Sequence, residues 1–309
     1  MTPAPALRAL LHDIVDYAGL FPPAQLGMEA AVGGYASFLA GPDAWMLGAF
    51  VVPAARLEEL ERAAAPHLAR AGSGYARRWR VSALVGGDVE GDARRVAAFQ
   101  ARVAGAGGGA VVEQLEGKAA TVGDVDRPAA AAAGSLGGAA TLYVELPVGP
   151  GDPRPIVDAV GRAGARAKVR TGGVTADAFP PPAALARFVA ACVDAGVPFK
   201  ATAGLHHPVR ARYPLTYERD AERGDMYGFM NVFLAAALLG ERVIGEKDAV
   251  RLLEERDPAA FTVADDAIAW RGHALTAGDL ARARQHVATS FGSCSFVEPV
   301  EDLRSLGLL

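Results

Sequence analysis

Cysteine is nearly missing from this chain: Cys192 and Cys294 are the two among 309 residues. Two thiols that far apart in sequence make neither a disulfide framework nor a redox or zinc pair motif. Long apolar runs are missing too. No window approaches a charge-free stretch of membrane length, and His12, Asp13 and Asp16 interrupt the leading segment where a secretory leader needs an apolar core. Net basic charge is also absent, with 31 Lys plus Arg against 35 Asp plus Glu and a formal charge of -4, and no arginine-rich run is interleaved with aromatics. That excludes a nucleic-acid footprint. The expectation is a soluble, cytoplasmic protein whose partner is a small molecule, without nucleic acid or membrane; homo-oligomerisation is left open. Lysine is scarce as well. It occurs only at positions 118, 168, 200 and 247, so arginine serves the solvated surface.

What the sequence does hold is a regular alternation of short apolar runs and amphipathic segments. Runs at 14–20, 45–52, 79–85, 110–115, 141–147, 165–170 and 198–203 read as strands, with helices between them, and FGSCSF at 291–296 makes an eighth. Such repetition implies a parallel sheet under helical cover, and eight strands close a barrel. The predicted fold is therefore α/β, a (β/α)8 TIM-like barrel in one domain over 1–309. Residues 205–290 are too long for a loop and form a helical excursion between the last two strands. Within it lie a polar connector at 208–225, an apolar helix GFMNVFLAAALLG, a charged helix near 246–256, a hairpin TVADDAIAWRGHALT and a helix from Ala277 to Ala288. The competing fold is a doubly wound open sheet with a helical appendage.

Two of the four lysines occupy matching places. ARAKVRTGG and VPFKATAGLHHP are strand-like runs on either side of a helix. Alternation puts Lys168 and Arg170 on one face of the first, and Lys200 and Thr202 on one face of the second. Unpaired buried charge is costly, so two facing cations in a closed interior point to chemistry or to ion pairing. A desolvated lysine beside other cations becomes nucleophilic enough to form an imine with a carbonyl. Glu145, inward with Tyr143 on the preceding strand, is placed to move protons; a structural counter-ion is the plainer alternative. Glu113 and Gln114 alternate, so one of them faces inward. The backbone amides around Thr171, Gly172, Thr202, Gly292 and Ser293 are candidates for an anion cradle. His206 serves as a proton carrier, and His207 and Asn231 as substrate contacts. Adjacent histidines on an extended chain point apart and no metal-ligand spacing supports them, so no metal and no cofactor is expected. Cys294, between two serines, is a candidate nucleophile with no base placed beside it, for which a core thiol is the plainer reading.

The lysine strands resemble those of the deoxyribose-phosphate aldolases, a class I aldolase family built on the TIM barrel. KVRTGG is similar to that family's KTSTGF-like strand, which implies Lys168 as the imine-forming lysine. KATAG is similar to its KASGG-like strand, which implies Lys200 as the lysine that tunes the first. FGSCSF is loosely similar to its Gly/Ser-rich phosphate strand, which implies Gly292 and Ser293 at the anion. Arg170 stands where that family has a small residue, and Ala203 breaks the second glycine pair. The expected function is a lyase forming a lysine imine with a small anionic carbonyl compound. The alternatives are a metal-dependent hydrolase or lyase using His206 or His207 with Asp16 and Glu145, a phosphoribosyl-type transferase, and a non-catalytic small-molecule binding protein.

Overall fold

The run LGAFVV has no polar face, so a strand built from it must be covered on both sides, as strands of parallel sheets are. The computed structural model describes residues 3–71, 78–105, 108–136 and 139–309. In it Leu47–Pro53 is β2, buried from its first residue to its sixth. The others are β1 (Val15–Tyr17), β3 (Trp79–Leu84), β4 (Ala110–Lys118), β5 (Thr141–Leu146), β6 (Arg166–Arg170), β7 (Phe199–Thr202) and β8 (Ala288–Ser293). They close in the order β1-β8-β7-β6-β5-β4-β3-β2, every pair parallel. With helices around it this is the (β/α)8 TIM-like barrel.

Helices between the strands follow the apolar periodicity. Pro182–Ala195 begins on proline, whose fixed φ suits a first turn, and stops at Gly196 with φ 63°. Leu185, Phe188, Val189 and Cys192 form its buried stripe. Asp126–Leu136 lies inside the weakly periodic section 118–139, of which residues 137 and 138 fall outside the described residues.

The excursion contains more sheet than expected. Within the connector 208–225, strands Ala211–Pro214 and Arg223–Met226 form an antiparallel hairpin. Its first strand alternates half-buried with exposed residues, so no apolar run announces it. The predicted hairpin near 262–276 is a three-stranded antiparallel sheet of Phe261–Val263, Ala267–Trp270 and His273–Thr276. Helix Phe229–Gly240 is buried by its own chain from Phe229 to Leu239. Phe229 and Phe233 pack on Phe291 of β8, with ring centroids 5.3 and 5.9 Å apart. The last strand starts earlier than predicted, at Ala288, and ends at Ser293, which leaves Cys294 in the turn before helix Val297–Ser305.

Candidate active site

Register brings the singled-out side chains into line. Glu145 on β5 pairs with Lys168 on β6, and Lys168 with Lys200 on β7. Both lysines lie inside the barrel, their side chains 5% and 1% exposed. The ammonium groups do not confront one another, however. The carboxylate of Glu116 on β4 lies between them, with Oε2 2.6 Å from Lys168 Nζ and Oε1 2.7 Å from Lys200 Nζ. Lys200 Nζ also lies 2.6 Å from Asp16 Oδ2 and donates to Gln114 Oε1 at 2.7 Å. Lys168 Nζ has Glu145 Oε2 at 2.9 Å. A buried ion pair persists only when its remaining polar atoms are met. Ser82 Oγ donates to Glu116 Oε1 at 2.6 Å, Ser290 Oγ to Asp16 Oδ2 at 2.7 Å, and the Ala49 amide to Asp16 Oδ1 at 2.8 Å. Gly48 makes room for that last contact, since a Cβ there would sit 2.4 Å from Asp16 Oδ1.

The network fixes its own charges. Burial alone would raise the Glu116 pKa, but Lys168 and Lys200 outweigh it and hold the carboxyl well below the usual range. Burial likewise opposes ionisation of Glu145, and Lys168, then Arg170 and Lys118, reverse that and lower its pKa. For Lys200 burial disfavours the ammonium, and Asp16 and Glu116 more than compensate, raising its pKa above the ordinary lysine value. Lys200 is therefore a fixed cation.

Glu116, Ser82 and Ser290 were not among the residues singled out from the sequence, and Asp16 appeared only as a metal ligand. Glu116 had a signal: it stands two residues after Gln114 and so shares its face. The predicted strand 110–115 stops one residue short of it, whereas β4 runs on to Lys118. The pairing shifts between Val81↔Val112 and Ser82↔Gln114, inserting Glu113 as a bulge. The choice between Glu113 and Gln114 is thereby dissolved. Glu113 pairs with Arg80 at 2.5 Å near the start of the strands, while Gln114 reaches Lys200.

Above this floor lies a cavity of about 630 Å³ at the C-terminal ends of the strands, lined by Lys168, Lys200, Glu145, Arg170, Thr202 and Gly292 together with His206 and His207. Its polar side carries Arg170, 3.5 Å from Glu145 Oε1, and Lys118, 3.6 Å from the same oxygen. Its lining also includes the apolar side chains of Phe21, Val51, Leu84, Leu215 and Met226. Oε2 of Glu145 is buried against the Lys168 ammonium, while Oε1 faces Arg170 and Lys118. Protein-family models and curated proteins give no match to this chain.

Of the five residues of the predicted anion cradle, Thr202 and Gly292 line the cavity. The Thr171 amide and hydroxyl donate to Thr202 O and Ala203 O, and the Ala203 amide donates to Gly292 O. Gly172 packs under Phe179, where a Cβ would lie 2.3 Å from the ring. Ser293 Oγ accepts from the Ser295 amide. These groups close the turns on one another, and Thr171, Gly172 and Ser293 do not line the cavity. Asn231 does not line it either: its side chain accepts from the Arg210 amide and donates to Leu252 O and Glu255 O. Nor are the proposed metal ligands gathered. Asp16 is engaged by Lys200 and Ser290, His206 Nδ1 lies 2.8 Å from Glu298 and His207 Nδ1 2.6 Å from Asp302. Among the described residues no cluster of three or more His, Cys, Asp or Glu is arranged for a metal ion.

Proposed function

We propose that this protein is an imine-forming lyase of the class I aldolase kind, acting on a small carbonyl compound that carries an anionic group and an apolar tail. The observation that carries this reading is the Lys168–Glu116–Lys200 bridge at the base of a cavity, with Glu145 beside Lys168. The resemblance of KVRTGG and KATAG to the lysine strands of deoxyribose-phosphate aldolases supports the same roles. Because the amides of Thr171 and Ala203 are already spent, the reading places the anion on Arg170 and Lys118. The apolar lining residues Leu84, Leu215 and Met226 then take the rest of the molecule.

In this reading Lys168 passes a proton to Glu145 as its amine attacks the carbonyl carbon. Glu145 relays a proton to the carbonyl oxygen, water departs, and the iminium forms beside the fixed charge of Lys200. The iminium draws electrons from the neighbouring carbon–carbon bond. A base takes the proton of the β-hydroxyl, an aldehyde leaves and an enamine remains. Protonation at carbon and hydrolysis return the lysine.

Borohydride reduction in the presence of a panel of aldehydes and 2-keto acids, followed by peptide mapping, tests it. The expected result is one reduced adduct on Lys168, lost in Lys168→Met and formed more slowly in Lys200→Met. Absence of an adduct across the panel, or an adduct confined to Lys118 or Lys247, overturns the mechanism.

A further inference from the structure

The mouth of the barrel holds a second nucleophile that imine chemistry leaves unused. Cys294, one residue beyond β8, lines the cavity together with His206, Tyr217 and Glu298. Its Sγ lies 4.0 Å from His206 Nε2 and 3.5 Å from the Tyr217 hydroxyl. The other ring nitrogen, Nδ1, lies 2.8 Å from Glu298 Oε2, an oxygen that also accepts from Tyr217 at 2.9 Å. Three separate pieces of chain supply these groups: the turn after β7, the loop inside the 211–226 hairpin, and the segment that runs from Cys294 into helix Val297–Ser305. With a thiol at one imidazole nitrogen and a carboxylate at the other, the ring can take the thiol proton while the carboxylate fixes its tautomer and stabilises the imidazolium. A contact of this length is ordinary for a nucleophile and base before a ligand draws them together.

The imidazole has the electrostatics for this. Burial works against its charged form, but Cys294 and Glu298 outweigh burial and bring its pKa up to about 9. The chain also carries its own control. Cys192 is buried in helix Pro182–Ala195, where desolvation pushes its thiol up.

We infer that Cys294 is the nucleophile of a second covalent site, activated by His206 and oriented by Glu298, which accepts an acyl group from a thioester or activated ester. The apolar lining residues Phe21, Leu215 and Met226 suit the acyl chain. In the first step the thiolate attacks the carbonyl carbon and a carbon–sulfur bond forms. The tetrahedral adduct then collapses, the bond to the leaving thiol or alcohol breaks, and His206 hands that group the proton it took from Cys294. Water next attacks the S-acyl carbon while His206 removes its proton. Carboxylic acid is released and the thiol is restored, with no oxidant or reductant required.

The test uses the full chain with p-nitrophenyl butyrate and with S-butyryl-N-acetylcysteamine. The expected result is a stoichiometric burst of nitrophenolate and one butyryl group on the Cys294 peptide, removed by neutral hydroxylamine. Cys294→Ser abolishes it, and His206→Gln or Glu298→Gln slows acylation about a hundredfold. Peptide mapping of the wild-type chain decides even where a variant fails to fold. Butyryl on lysine or on Cys192, no butyryl at all, or an equal rate in wild type and His206→Gln overturns the proposal. The acyl label and the borohydride adduct fall on different peptides, so the thiol and amine readings fail separately.

Discussion

At the scale of single residues, Glu116 is the side chain on which the interior depends. It neutralises two ammonium groups that are almost wholly removed from water. Stripping one carboxylate from a buried network costs more than the pair itself contributes, because the desolvated partners lose their compensation. Glu116→Ala is therefore expected to lower unfolding free energy by about 3–5 kcal/mol, measured by urea denaturation. Lys168→Met combined with Glu116→Leu should recover much of that loss, since an apolar replacement leaves fewer charges to balance. An Ala variant as stable as the wild type would show that water, not Glu116, compensates the lysines. The sequence marked both lysines because the residue type is so rare here, whereas glutamate is too common for Glu116 to stand out. Only its contacts across the barrel distinguish it.

At the scale of elements, the long excursion is tied down by polar contacts at particular points. Asn231, in the first turn of helix Phe229–Gly240, satisfies Leu252 O and Glu255 O at the end of helix Glu246–Glu254 and the Arg210 amide before the hairpin. The asparagine that interrupts an apolar run is thus a fastener between three segments. Asn231→Ala should cost about 1–3 kcal/mol for each group left without a partner, visible as a lower thermal midpoint. It should also bring faster hydrogen exchange in residues 208–226 than in the barrel strands. Uniform exchange across the chain would argue that the hairpin does not rely on this residue. Arg284 plays a comparable part at the other end of the barrel, where it donates to Leu10 O, His12 O and Thr289 O and so ties the end of helix Pro5–Leu11 to β8. Neither role has a local sequence signature, because the partners are backbone groups that only the fold brings to the side chain.

At the scale of the whole molecule, the network and the thiol cluster set opposite pH limits on stability. The pKa values of Glu116, Glu145 and Glu298 are depressed by folding, so what they contribute is present above an unfolded glutamate pKa of about 4.3 and is lost as pH falls below it. His206 is shifted the other way, up to about 9. Its contribution is complete below an unfolded value of about 6.5 and disappears as pH rises through the folded one, a change on the order of 3 kcal/mol. Urea midpoints should peak between about pH 5 and 6.5, and His206→Gln should flatten the alkaline side. An alkaline limb unchanged in that variant would assign it to other groups, such as Tyr217. The sequence by itself determined a parallel sheet under helical cover, because apolar runs without a polar face must be covered twice; that the sheet closes into a barrel instead of staying open was decided by the tertiary structure. The sequence also determined that Lys168 and Lys200 sit in matching strand positions. Only the tertiary structure decided that a carboxylate lies between them, that the Thr171 and Ala203 amides are spent on neighbouring carbonyls, and that His206, Cys294 and Glu298 meet. Register and closure set those distances, and they arise from the packing of segments far apart in the chain.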